Sequence, residues 1–117
     1  MTTTTPSQAI QTDALIIRLN EAASETTALA EQAFVAGNKR EHDRLCNKSD
    51  ALLYARIQWR MFRRTRSEED AQDRLANHLR KILKGKADYY GTCLRAEDDT
   101  NGVREGLTLA FNLVKTN

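Results

Sequence analysis

Apolar and small residues recur at helical spacing between Thr12 and Ala36, a stretch without glycine or proline. The steps between them alternate between four and three residues, which is typical of a helix packed lengthwise on another helix. The positions are Leu15, Leu19, Ala22, Thr26, Leu29 and Ala33. Thr12 or Asp13 can cap the start of this helix, and Gly37 can end it by adopting a positive φ.

A second helix is predicted to follow at once, from Lys39 to about Arg64. Asn38 and Glu41 fit a variant of the capping box at its start. Its first half carries an apolar face made of Leu45, Cys46, Leu52, Leu53 and Ile57. Because the link between the two helices is so short, they are predicted to form an antiparallel hairpin.

A third helix is predicted from the Ser67 and Asp70 capping signature to Lys84, just before Gly85. It is amphipathic at 100° per residue, with charged side chains opposite one apolar face. That face consists of Ala71, Leu75, Leu79, Ile82 and Leu83.

The last 30 residues fit two alternatives. A helical stripe is formed by Val103, Leu107, Ala110, Phe111 and Val114. Strict alternation over residues 107–113 equally fits a strand, which the Asn101-Gly102 turn would join to a partner strand at residues 89–94 in a β-hairpin. The helix is favoured because everything before it is helical.

Composition supports an all-α fold, a small helical bundle. The chain has 117 residues with five glycines and one proline, too few turn-forming residues for a sandwich or barrel. The length predicts a single domain, placed at residues 12–117, after a flexible N-terminal tail at residues 1–11.

Charge is distributed unevenly although the net charge is only +2. Residues 54–86 hold ten basic and four acidic side chains, between acidic ends. On a helix, Arg56, Arg60 and Arg63 form one stripe, which continues the face that is apolar at Leu45. Such a stripe suits phosphates or carboxylates. The predicted partner- or phosphate-binding residues are Arg56, Trp59, Arg60, Arg63, Arg64, Arg66, Lys81 and Lys84.

The same arginines can instead pair within the chain. In an antiparallel hairpin, Arg56 and Arg60 lie near the levels of Leu19 and Leu15, within reach of Asp13 and Glu21. The acidic residues 68–70 also follow directly in sequence. Internal or solvated pairs are the common fate of surface charges.

A second apolar row lies beside the first on the first helix. It consists of Ile16, Ala23, Ala30 and Phe34. Two rows together are wider than one partner helix covers, so this row predicts self-association as a homodimer or the docking of a protein partner.

Reactive and metal-binding residues give little support for catalysis or cofactors. His42, Cys46, His78 and Cys93 could in principle make a zinc site, but no close pair of cysteines exists, and no metal site is predicted. Residues 97–102 resemble half a calcium loop, but the register fails and a polar turn is expected. No nucleophile elbow, phosphate-binding glycine loop or zinc-protease motif occurs, so no enzyme activity and no cofactor are predicted.

These features predict a non-catalytic protein–protein interaction module, a small regulator, inhibitor or adaptor of bacterial or phage type. The alternative is a nucleic-acid-binding protein that contacts phosphates through Arg56, Arg60, Arg63, Arg64 and Arg66. Two cysteines and no apolar N-terminal run predict a cytoplasmic protein with free thiols and no membrane interaction.

Overall fold

The computed structural model describes residues 13–94 and 101–117, so the predicted tail at 1–11 and most of the polar segment 97–102 lie outside the described part. The described residues form four helices. They are α1 (Ala14–Val35), α2 (Lys39–Arg63), α3 (Glu68–Leu83) and α4 (Val103–Lys115). The all-α prediction is confirmed, and the C-terminal element is a helix rather than a β-hairpin.

Side-chain caps begin the first three helices where the sequence predicts them. Asp13 accepts from the amides of Leu15 and Ile16 at 2.9 and 3.3 Å. Asn38 and Ser67 each accept from the amide three residues ahead, at 3.2 Å. These bonds satisfy amide donors that the first turn of a helix leaves unpaired.

Helices α1 and α2 form the antiparallel hairpin. The Thr27 and Ser49 hydroxyls are 3.0 Å apart, and farther down the hairpin the Arg56 guanidinium donates to the Asn20 side chain at 2.7 Å. Between these helices, Gly37 has a φ of +74°, which allows the chain to reverse within three residues.

Helix α4 packs against both α2 and α3. Gly102 and Gly106 lie so close to α2 that a Cβ on either would fall 1.9 Å from the Arg44 carbonyl oxygen and 2.4 Å from that of Lys48, respectively. At the other end of α4, Gln72 donates to the carbonyl oxygen of Val114 at 2.7 Å, and Arg18 donates to Thr116 at 3.0 Å.

The apolar interior has two parts. The larger cluster joins the first half of α1 to α2, α3 and α4, and Trp59, Leu52, Leu75, Leu79 and Leu107 are fully buried in it. A smaller cluster of Ala30, Ala33 and Leu45 lies between α1 and α2 near their turn. The residues around that turn, from about 28 to 46, are named the hairpin tip below.

The buried stripe of α1 lies between the two predicted rows. Ile16, Ala23 and Ala30 are buried within the chain, whereas Leu29, predicted in the seam, is half exposed. The expectation that the second row forms a free surface is therefore wrong for these three residues. The helix is rotated so that members of both rows, but not Leu29 or Phe34, lie in one wide buried stripe.

The buried side of α2 includes Leu45 and Leu52 of the predicted apolar face but extends away from Ile57. Ala51, Tyr54, Ala55 and Trp59 are buried because α3 and α4 cover that side, while Ile57 is 46% exposed. No helix in the described parts of the chain is long and apolar enough to cross a membrane.

Candidate interaction surface

The predicted arginine stripe lies along the edge where the second half of α2 meets α1. Arg56 bonds to Asn20, as above, and the Arg63 Nε lies 4.0 Å from a carboxylate oxygen of Asp13. Arg66, beyond the helix end, pairs with Asp70 at 3.1 Å and lies 5.6 Å from the centre of the Phe62 ring. Internal pairing therefore occupies part of the stripe.

Two of the arginines predicted to bind a partner have neither a side-chain hydrogen bond nor an ion pair among the described residues. They are Arg60, which is half-buried, and Arg64, which is exposed. Nε atoms of Arg56, Arg60 and Arg63 are also buried there without a hydrogen-bond acceptor in the described structure. This edge of α2 therefore carries more donors than acceptors.

Trp59 does not belong to the surface. Its side chain is fully buried in the larger apolar cluster, and the Arg63 guanidinium lies 5.9 Å from its ring centre. The prediction that Trp59 contacts a partner is wrong, because the side of α2 that carries it is covered by the rest of the bundle.

Lys81 and Lys84 are exposed on α3 but distant from the end of the stripe. Arg66 precedes the first residue of α3 and Lys84 follows its last, so about 24 Å of helix separates them. The two lysines consequently do not extend a basic patch around Arg64 and Arg66.

Exposed aliphatic residues stand beside the unpaired arginines. Ile57 and Met61 are 46% and 53% exposed, and they are one turn apart on α2. With Arg60 and Arg64 they occupy positions i, i+3, i+4 and i+7, which are neighbours on a helix surface. These four residues are named the α2 patch. The apolar pattern predicts Ile57 on the core face, and it assigns Met61 to no site.

Two depressions flank α2 beside this patch. One, of about 630 Å³, lies along the α1–α2 groove and ends at Arg56. The other, of about 560 Å³, is on the other side of Leu53 and Arg56 and is walled by Tyr89 and Tyr90. Neither has a histidine or cysteine among its described lining residues.

Tyr54 of α2 and the two tyrosines that follow α3 form a cluster that the sequence pattern does not predict. The rings of Tyr54, Tyr89 and Tyr90 lie edge to face, with centroids 4.7–5.2 Å apart. The Tyr54 hydroxyl is 2.7 Å from the Nε2 of His78. Burial, followed by the charge of Lys81, lowers the pKa of His78.

At the hairpin tip, Phe34 is 70% exposed and is the one member of the predicted self-association row that lies on the surface. Its ring centre is 5.5 Å from that of His42. The Nε2 of His42 lies 3.4 Å from the Cys46 sulfur, and its Nδ1 lies 3.2 Å from an Asp43 carboxylate oxygen.

The four residues considered for a zinc site are not together. His78 contacts Tyr54, and the Cys93 thiol donates to Asp88 at 3.2 Å, which raises the pKa of that thiol. In the described part of the chain, no group of three or more metal-binding side chains comes together.

An ion-pair cluster connects α2 to α4 near the tip. Arg44 bonds to Glu41 at 2.6 Å and also to Glu105, and Lys48 lies 3.2 Å from Glu105. The Arg44 hydrogen bond lowers the pKa of Glu105, opposed by partial burial. Because these charges neutralise one another, the cluster positions α4 rather than forming a free charged surface.

Comparison with known proteins gives no match: no family model, no curated protein and no solved structure is similar to this chain.

Proposed function

We propose that this chain is a non-catalytic protein-interaction module, a small regulator, inhibitor or adaptor, that docks through the α2 patch. The observation that carries the proposal is the interleaving of exposed Ile57 and Met61 with Arg60 and Arg64, which have no carboxylate partner among the described residues. Aliphatic contacts contribute affinity at such a surface, and unneutralised arginines select the partner's charge.

The partner that fits this patch is an amphipathic helix with an acidic edge. An aliphatic stripe on that helix would cover Ile57 and Met61, while Asp or Glu one turn apart would pair with Arg60 and Arg64. The absence of a carboxylate partner for Arg60 and Arg64 among the described residues and the basic composition of residues 54–86 favour an acidic partner.

Protein docking is favoured over a phosphate track for two reasons. Arg63 and Arg66, which a nucleic-acid interface would use, face Asp13 and Asp70. In addition, aliphatic side chains occupy half of the α2 patch, and these add nothing to contacts with a phosphate backbone.

Site-specific photo-crosslinking tests the proposal. A photo-reactive residue at position 61 is introduced, the protein is exposed to a lysate of its source organism, and crosslinked peptides are identified by mass spectrometry. We expect a peptide with apolar residues at helical spacing and acidic residues beside them. A crosslink to nucleic acid, or loss of the protein crosslink after nuclease treatment, would instead support the phosphate track.

A charge-matched pair of variants then measures the contribution of the patch. Met61→Glu combined with Arg64→Glu alters two exposed side chains and should weaken binding to the identified peptide at least tenfold, about 1.4 kcal/mol. Lys81→Glu combined with Lys84→Gln makes the same change in net charge at two exposed residues on α3 and should leave binding within twofold. Equal effects of the two pairs would contradict docking at the α2 patch.

A further inference from the structure

His42 and Cys46 form a pair of potential metal ligands on one face of α2. They are four residues apart, and the Nε2 of His42 lies 3.4 Å from the Cys46 sulfur. Both side chains are partly exposed at the hairpin tip. The pair is distant in sequence from the α2 patch, so metal binding at the pair is independent of docking at that patch.

The separation of the two ligand atoms matches that required by a zinc ion. A tetrahedral zinc with Zn–S of about 2.3 Å and Zn–N of about 2.0–2.1 Å holds its sulfur and nitrogen about 3.5–3.6 Å apart. The observed 3.4 Å is within about 0.2 Å of this value, so both atoms can bind one ion with little side-chain movement.

The ring of His42 is also oriented as a metal ligand is. Its Nδ1 lies 3.2 Å from Asp43, and Asp43 is in turn held by the Lys39 ammonium at 2.6 Å. When Nδ1 donates its proton to that carboxylate, Nε2 is the unprotonated nitrogen and faces Cys46. A carboxylate behind the histidine is the usual outer partner in zinc sites.

One chain supplies only two of the four ligands that a closed zinc site needs. Within the described residues no third metal-binding side chain joins the pair, and His78 and Cys93 are engaged with Tyr54 and Asp88. Beside the pair, Phe34 and Val35 are 70% and 86% exposed. A half-complete ligand set thus stands next to an uncovered apolar surface.

We propose that His42 and Cys46 are half of a structural zinc site, which a second copy of this chain completes with the same two residues. A two-fold dimer through the hairpin tips supplies two histidines and two cysteines, which is a common ligand set of structural zinc. The two thiols release their protons to solvent, and the resulting thiolates balance the charge of Zn²⁺.

Zinc and cobalt titrations of the reduced protein test the site. In the presence of a non-thiol reductant, Zn²⁺ should double the mass measured by light scattering, with one ion per two chains, and a chelator should reverse this. Co²⁺ should give the absorption of a tetrahedral ion with two thiolate ligands. A 1:1 monomeric complex, or no binding at a tenfold excess of Zn²⁺, would overturn the proposal.

Variants separate this site from the other cysteine and histidine. Cys46→Ser and His42→Gln should each abolish zinc-dependent dimerisation, whereas Cys93→Ser and His78→Gln should retain it. Asp43→Asn should weaken zinc binding about 10–100-fold without changing the stoichiometry. Zinc-dependent dimers that require Cys93, or dimers that form only under oxidation, would contradict the assignment.

Discussion

His78 and Tyr54 make a polar contact at the edge of the apolar interior. The imidazole is half-buried, its Nε2 lies 2.7 Å from the Tyr54 hydroxyl, and burial lowers its pKa. A protonated imidazole is disfavoured there because it loses hydration and lies near the ammonium of Lys81. The folded state therefore holds this proton less tightly than the unfolded state does.

The lowered pKa of His78 predicts that the folded protein loses stability in mild acid. The unfolded chain takes up a proton at His78 as the pH falls through about 6.5, while the folded chain takes it up only at lower pH. The free energy of unfolding should consequently fall between pH 7 and pH 5.5, above the range where carboxylates titrate. Urea denaturation across this range measures the fall.

His78→Gln is the matched variant for the pH experiment. It retains a polar side chain but removes the titrating group, so its stability should change less between pH 7 and 5.5 than that of the wild type. Tyr54→Phe removes the hydroxyl but keeps the burial, and should retain the pH dependence. A wild type and a His78→Gln variant with the same slope would contradict this assignment.

Individual residues also show where sequence patterns stop being informative. Ala23 and Ala30 are buried, whereas the larger Leu29 is half exposed, because the rotation of α1 is set by its contacts with α2 and α4. The arginine stripe could be predicted from spacing alone. Which arginines pair could not, because the Arg63–Asp13 and Arg66–Asp70 contacts depend on the final register and the turn after α2.

Among the helices, the packing of α4 on α2 depends on a close approach of their backbones. Gly106 is helical, yet a Cβ there would lie 2.4 Å from the Lys48 carbonyl oxygen and 2.7 Å from the Ala51 Cβ. These neighbours are backbone and a short buried side chain, so neither can move aside without shifting a helix.

Gly106→Ala should therefore destabilise the protein despite the higher helix propensity of alanine. Overpacking a tight interface costs about 1–3 kcal/mol. The higher helix propensity of alanine returns at most about 1 kcal/mol, so we expect a net fall in the free energy of unfolding. Thermal or urea denaturation followed by circular dichroism measures the change.

Gly91→Ala provides a control for loss of the glycine itself. That position has a φ of +82° but no atom within 4 Å of an added Cβ, so only backbone strain of about 1 kcal/mol is expected. A Gly106→Ala variant as stable as the wild type would show that α4 does not approach α2 this closely.

The helices differ in how well the sequence predicts them. Caps at Asn38 and Ser67 and the break at Gly37 define α1 to α3 locally, which is why their limits agree with the pattern. The segment after residue 102 fits both helical and strand spacing, and its helix is stabilised by contacts with α2 and α3 that no local pattern contains. Ile57 is exposed although its spacing predicts a core position, because the side of α2 that α3 and α4 cover is likewise not contained in the local pattern.

For the molecule as a whole, the two apolar clusters stabilise the two ends of the hairpin to different extents. The larger cluster draws on all four helices described, whereas the smaller one holds only Ala30, Ala33 and Leu45, with Cys46 beside it. The molecule is elongated, with extents of 53 × 33 × 23 Å. Few buried apolar contacts imply a lower free energy of local opening at the hairpin tip.

Native-state hydrogen exchange should detect this difference along a single helix. In metal-free protein, amides of residues 42–47 should exchange faster than those of residues 51–55, and residues 28–33 should behave like the former. The buried part of α2 is the internal control. Uniform protection from residue 42 to residue 59 would show instead that the hairpin opens only with the whole molecule.

Because the two clusters are separate, the length of the hairpin can change without changing the packing of the larger cluster. Inserting seven residues into each of its helices, outside the larger cluster, would move the turn about 10 Å outward while preserving which side chains face each other. The four-helix part of the molecule can thus hold the hairpin tip at a distance that the number of inserted residues sets.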